Sequence, residues 1–176
     1  MTEYFLRNAM EHHGDMVYRL ALCRMQSTAD AEDVYQDVFV RLLGQPEQGW
    51  EGERLKAWLI RTTLNRCADL HRFRLRRPVL AWSEAADLAQ PADERAEVWD
   101  AVAHLPEKLR TAVHLYYAEG YSTEEIAALL EVPTATVRTR LRRARMKLKD
   151  LLGGIEDARE PLSEVDEWDP HAGRAQ

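Results

Sequence analysis

The sequence predicts an all-α protein: two small helical domains joined by a flexible linker, with an acidic tail behind them. Three observations carry that expectation. Apolar residues recur at helical spacings of three and four along most of the chain, and no stretch shows the strict alternation of a strand. Glycine and proline, eight and seven of 176 residues, gather at a few joints rather than scattering. Charge is segregated into blocks along the sequence. The expected division is a first helical domain over residues 1–77, a linker over 78–94, a second helical domain over 95–152 and a tail over 153–176.

The first domain reads as a small bundle. Met16, Val17, Leu20, Ala21 and Leu22 begin a helix that runs to about Met25. Ser27, Thr28 and Asp30 then give a turn and a cap. The next helix, over 31–43, places Val34, Val38 and Leu42 four apart, flanked by Ala31 and Tyr35. Residues 44–52, GQPEQGWEG, hold three glycines and a proline and read as a loop. A third helix over 54–74 uses Leu55, Trp58, Leu59, Thr62 and Cys67 as its buried side. Pro78 closes the block, and Val79, Leu80 and Trp82 in the linker are candidate docking residues.

The second domain starts with Val98, Val102 and Leu105. Pro106 suits the first turn of a helix over 106–119, which Gly120 ends. A helix-turn-helix follows. Thr123 is placed to cap its first helix, and Val132-Pro133 ends it, because proline disfavours helical geometry at the residue before it. A second helix starts at Thr134, with Val137, Leu141, Ala144, Leu148 and Leu151 on one stripe. Arg138, Thr139, Arg142, Arg143 and Arg145 fall off that stripe. A helix that packs by one edge and shows arginines on the other suits a DNA major groove.

Net charge is −6, which taken alone speaks against a nucleic-acid binder. The distribution reverses that inference. Residues 132–149 hold seven Arg or Lys and no acid, and residues 53–77 hold eight against two acids. Acids gather in 84–100 and beyond 150. Two basic blocks between acidic segments are an electrostatic footprint for a polyanion. Cys23 and Cys67 form no CxxC pair, so neither a zinc site nor a disulfide framework is expected, and both read as small core residues. The first fifteen residues are charged and carry no long apolar run, so a signal peptide is not expected, and no stretch reads as long enough to span a membrane. The expected compartment is a reducing cytoplasm. No Ser-His-Asp, Cys-His or glycine-rich phosphate motif appears, and His12-His13 lacks partners at metal spacing, so neither enzyme activity nor a cofactor or metal is expected.

Three constellations stand out against blander readings. The helix-turn-helix is also compatible with any helical hairpin wearing solvated arginines, but ordinary surfaces mix signs and this one runs eighteen residues without an acid. Asp33, Gln36 and Asp37, with Phe39 beside them, share one exposed helix face at spacings of three and four. Such a face is commonly only the wet side of a helix. On a chain that binds DNA elsewhere it would repel DNA, and it suits a basic protein surface instead. The run from Ala57 to Arg66, continued by Asp69, Arg72, Arg74, Arg76 and Arg77, interleaves arginines with Trp58, Asn65 and His71, next to Trp50 in the loop. Arginines can track phosphate while rings receive unstacked bases. Trp58 reads mostly as core, whereas Trp50 in a glycine-flanked loop does not.

Taken in order, AEDVYQDVFVRLL, KAWLIRTTLNRCADLHR and HLPEKLRTAVHLYYAEGYSTEEIAALLEVPTATVRTRLRRARMKL resemble a bacterial RNA polymerase sigma factor of the extracytoplasmic-function (ECF) group of the sigma-70 family. The resemblance covers about residues 1–152. It implies that the first domain is region 2, a bundle of three to four helices, and that Asp33, Gln36, Asp37 and Phe39 dock on the β′ clamp helices of core polymerase. Trp50, Glu53, Arg61, Asn65, Arg72, Arg76 and Arg77 fall in the part that opens and reads the −10 element, where a flipped base enters a pocket at the loop. The second domain resembles region 4, a four-helix domain. There Arg138, Thr139, Arg142 and Arg143 would read the −35 element, while Thr136, Arg140 and Arg145 would meet phosphate. The implied partners are core polymerase through β′ and the β flap, promoter DNA and an anti-sigma factor, with no insertion into a membrane. The linker would thread the polymerase near the RNA exit path. The sequence departs from the family at the turn of the helix-turn-helix, where Glu131 and Thr134-Ala135 stand in a neighbourhood that often carries glycine.

Two rival readings rest on the same features. A stand-alone regulator would bind an operator through the helix-turn-helix and use the first domain for sensing or dimerisation. An adaptor that binds polymerase without DNA is disfavoured by the unbroken arginine face.

Overall fold

A computed structural model of the protein describes residues 2–46, 49–50, 53–76 and 94–152. All regular elements among the described residues are helical. They fall into two compact units that divide between Ala89 and Gln90. No helix among the described residues is long and apolar enough to cross a membrane.

The first unit holds α1 (Glu3–Met25), α2 (Thr28–Leu43) and α3 (Glu53–Arg76). α1 starts far earlier than the apolar spacing suggested. The Thr2 hydroxyl accepts the Phe5 N–H as an N-cap, and Arg7 pairs with Glu3 at 2.6 Å. Local capping and an i,i+4 pair thus start the helix at Glu3, well ahead of the apolar run that begins at Met16. Gly14 lies in the middle of α1. A Cβ there would come within 3.0 Å of the Tyr35 Oη, so the missing side chain admits Tyr35 of α2 against α1. Gln26 closes α1 with positive φ, and Ser27 caps α2 by accepting the Asp30 N–H.

Val17, Leu20 and Ala21 of α1, Val34, Val38 and Leu42 of α2, and Leu59, Ile60 and Cys67 of α3 form the core. Cys67 is buried and Cys23 half-buried, and neither is in a disulfide among the described residues. Two ion pairs join α2 to α3 along its length, Arg66 with Asp37 and Arg74 with Asp30. Trp58, expected mostly in the core, is half-buried.

The second unit holds α4 (Glu94–Ala103), α5 (Glu107–Val113), α6 (Thr123–Leu130) and α7 (Thr134–Leu152). Arg110 is buried and donates to the carbonyls of Ala103 and Leu105, at 3.0 and 2.7 Å. It therefore satisfies acceptors that the end of α4 leaves open and ties α4 to α5. α5 runs on into a π-helical turn over His114–Ala118, where the Glu119 N–H reaches back to the His114 carbonyl. The extra residue in this turn, unexpected from the sequence, ends the helix with Tyr116 and Tyr117 edge to face, 4.9 Å apart. Gly120 then turns the chain at φ +71°.

The cap of α6 is Ser122 rather than Thr123. Ser122 and Glu125 form a reciprocal capping box. The turn without glycine is made by Glu131, held at φ 54° and ψ 45°, and the Val132 N–H closes it on the Ala127 carbonyl at 3.0 Å. α7 packs through Val137, Leu141 and Ala144, as its spacing predicted, but Leu151 at its end is exposed.

Candidate nucleic-acid interface

α7 presents its cations on two flanks of the apolar stripe. Arg138 and Arg142, four apart, lie on one flank, and both are exposed. Arg138 Nη2 donates to Glu124 Oε1 of α6 at 2.9 Å. Glu124 in turn accepts the Thr123 hydroxyl at 2.9 Å. Its own backbone N–H, the Thr123 hydroxyl and the Arg138 guanidinium hold its carboxyl below the ordinary glutamate range. On the other flank Thr136, Thr139, Arg140 and Arg143 join Lys108, Leu109 and Ala135 around a cleft of about 360 Å³. The Thr139 hydroxyl donates to the Ala135 carbonyl at 2.8 Å, which turns its lone pairs outward. Lys108, Arg140, Arg142 and Arg143 have no acid partner among the described residues, unlike Arg138.

Arg145 is placed differently. Its Nε donates to the Tyr117 hydroxyl at 2.9 Å, which ties α7 to the π-helical turn. The side chain is half-buried, and this bond gives it a role inside the unit beside the phosphate contact expected of it.

α3 carries the second cationic surface. Arg54, Trp58, Arg61, Asn65 and Arg72, at spacings of four, three, four and seven, occupy one outward stripe. Trp50 meets Trp58 edge to face at 5.4 Å, and its indole N–H donates to the Pro46 carbonyl at 2.7 Å. The two rings form an aromatic platform at the head of the stripe. The guanidinium of Arg54 lies over Gly49, which has φ +87°. Glu53 is exposed in the first turn of α3. Arg72 is exposed and donates to Asp69 at 2.6 Å. Arg76 is the last residue of α3. Arg77, the linker and the tail lie outside the described residues.

On α2, Asp33 and Gln36 are exposed. Asp37 accepts the Arg66 Nε at 2.5 Å and is only partly accessible. Phe39 is 4% exposed and packs against Tyr35 with ring centroids 4.8 Å apart. It is a core residue, and its expected place on the docking face is corrected. The exposed apolar residue on that face is its neighbour Val40, 66% exposed, which sits four after Gln36 and three after Asp37. Leu43 follows three residues later and is half exposed.

Residues 9–77 match the family described as Sigma-70 region 2, and residues 95–148 match Sigma-70, region 4. The chain is 30% identical over 156 residues to the ECF RNA polymerase sigma factor SigM of Mycobacterium tuberculosis, covering 85% of this chain and 78% of that protein. The chain belongs to the ECF group of the sigma-70 family. It is also 35% identical over 154 residues to the ECF sigma factor SigE of Mycolicibacterium smegmatis, covering 81% of this chain. It spans 60% of that relative and 37% of the probable sigma factor RfaY of Xanthomonas campestris. Among solved structures, the sigma factor RpoE of Bartonella quintana in complex with the anti-sigma factor NepR is similar, with TM-score 0.71 and 26% identity over 84% of this chain and 96% of that one. CnrH in complex with the cytosolic domain of CnrY is similar at TM-score 0.58 and 28% identity, covering 85% of this chain and 88% of that one.

In this ECF factor, three surface residues escaped the sequence reading. Arg54 continues the α3 stripe one turn before Trp58, a spacing that was available in the sequence. Val40 was available in the same way, from its distance to Gln36 and Asp37. Lys108 was not, because it reaches the α7 cleft from another helix, and no local pattern reports a tertiary neighbour.

Proposed function

We propose that this protein is a non-catalytic initiation factor that binds core RNA polymerase in the cytoplasm and directs it to promoters. In this reading the first domain, residues 1–77, docks on the β′ clamp helices through Asp33, Gln36 and Asp37, with Val40 as the apolar contact. It then opens and reads the −10 element along Arg54, Arg61, Asn65 and Arg72, with Arg76 and Arg77 beyond. The second domain, residues 95–152, meets the β flap and reads the −35 duplex through α7. The segment between them spans the polymerase.

The observation that carries this reading is the cationic face of α7, whose Arg140, Arg142 and Arg143 stand without acid partners among the described residues beside an arginine held on the first helix of the motif. A bidentate arginine-to-guanine contact is worth about 1–3 kcal/mol of discrimination. The aromatic platform of Trp50 and Trp58 supports the unstacking step, since a ring that receives a base offsets part of the cost of taking it from the duplex. Neither surface has to bind tightly alone. Held on one polymerase, both act at high effective concentration. The net charge of −6 then limits stray binding of the free factor to DNA. An anti-sigma factor is the expected inhibitor, as the similar RpoE of Bartonella quintana is seen with one.

Reconstitution with core polymerase, followed by run-off transcription from a promoter library, tests the reading. The expected outcome is co-purification with core and recovery of two sequence elements. DNA binding to a symmetric site without polymerase would favour a stand-alone regulator and overturn it.

A further inference from the structure

We propose that Glu124 is a specificity-determining positioning residue, which holds the Arg138 guanidinium so that it reads a base edge rather than a phosphate. The inference rests on the promoter reading above and extends it to a residue outside the recognition helix.

The geometry starts with the carboxylate. Glu124 sits in the first turn of α6, and its own backbone N–H, the Thr123 hydroxyl and Arg138 all bond it. One oxygen is held by Thr123 and the other is presented to Arg138. The contact spans fourteen residues and bridges the two helices of the motif. It is therefore a tertiary clamp on the side chain and not a local pair along one helix.

Arginine has five N–H donors in a planar fork. Glu124 engages Nη2, and the remaining donors are free to reach a guanine. The contact restrains where the fork can point, and a restrained fork favours bidentate recognition. An unclamped arginine on the groove side of a helix has an easier choice, because phosphates are near whatever the sequence and reward any orientation. A carboxylate beside it disfavours that choice by repelling phosphate.

In free protein the pair is open to water, with 68% and 62% of the two side chains exposed. Such a pair contributes little to folding. Its effect is expected on docking, when DNA displaces that water and the charge pair is no longer screened. The role is thus one of selectivity. The cap of α6 is made by Ser122 and Glu125, so replacing Glu124 leaves the capping box intact.

The test uses holoenzyme assembled from the full chain and core polymerase, with run-off transcription from a library randomised in the −35 element. Wild type, Glu124→Ala, Arg138→Ala and the double variant are compared. Arg138→Ala is expected to lose base preference at one or two positions. Glu124→Ala is expected to flatten preference at those same positions by roughly fivefold while sparing the others. The double variant is expected to match Arg138→Ala, because Glu124 acts through Arg138. Unchanged preference at those positions in Glu124→Ala overturns the inference. So does flattening at every position, or a further loss in the double variant, either of which marks a structural role. A wild type with no upstream preference overturns the promoter reading and this inference with it. A wild type with a clear −35 preference that Glu124→Ala leaves intact overturns the inference alone.

Discussion

Arg66 of α3 donates its Nε to Asp37 of α2 at 2.5 Å, so one carboxylate of the proposed polymerase-docking face already has a partner inside the domain. The pair joins the helix proposed to meet β′ to the helix proposed to meet the −10 element. A polymerase residue that engages Asp37 must share it with Arg66 or displace it.

The folding and docking roles of Asp37 separate in a charge swap. Asp37→Arg sets two cations against each other, and its midpoint in thermal unfolding should fall. Both side chains are partly solvated, so the loss is about 1 kcal/mol or less. The double variant Asp37→Arg with Arg66→Asp should recover the wild-type midpoint. It should still fail to co-purify with core polymerase, because the carboxylate has moved to α3. Recovery of both properties would show that Asp37 matters only for joining the helices.

Phe39 and Val40 are adjacent in sequence and opposite in role. Phe39→Ala removes a buried ring and should destabilise the first domain by about 3–5 kcal/mol. Its loss of activity should follow the loss of folded protein. Val40→Ser, at a site 66% exposed, should leave the unfolding curve within about 0.5 kcal/mol of wild type. It should weaken assembly with core polymerase in a direct binding titration. Equal affinity of Val40→Ser and wild type for core would remove Val40 from the docking face.

These two residues also show how far the sequence could be read. α2 and α7 were legible because their apolar residues repeat at three and four over several turns. The first half of α1 was not, since Thr2, Glu3 and Arg7 start it through capping and charge. Phe39 was placed on the docking face although it lies four after Tyr35 and three before Leu42, a spacing that assigns it to the apolar side. Arg145 and Lys108 were beyond any such reading. The partner of Arg145 is Tyr117, presented by a π-helical turn that no local pattern announced. Lys108 joins the cleft only when α5 packs beside α7. The absence of glycine from the recognition turn left its geometry open, and Glu131 takes the left-handed conformation in its place.

His13 gives the first domain an acid-side weakness. Burial, and next the cations Lys56 and His12, hold its pKa below the ordinary 6.5, while Glu53 opposes them. The unfolded chain therefore binds this proton more readily than the folded one. Stability is fully present above the unfolded value and falls as pH drops through 6.5 toward the lowered folded value, below which this residue adds no further loss. Urea unfolding at about pH 7.5 and about pH 5.5 should show that decline in wild type, and His13→Gln should reduce it. An identical decline in the variant would assign the pH dependence to other groups.

The α7 cleft distinguishes a phosphate seat from a base reader. Lys108, Arg140 and Arg143 enter it from two helices and have no acid partner among the described residues. A flexible ammonium at the rim of a groove-binding helix suits a phosphate, which any sequence supplies. Lys108→Ala in the full chain should therefore weaken binding of −35 duplexes and of random duplexes by the same factor. It should also lower the slope of log affinity against log salt by about 1. Arg143→Ala should instead cost more on the duplexes that wild type prefers and relax the preference. Arg145→Ala should lower the thermal midpoint of the second domain, since it loses the contact with Tyr117. A Lys108→Ala variant with an unchanged salt slope would remove Lys108 from the DNA contact, and a sequence-dependent loss would make it a reader.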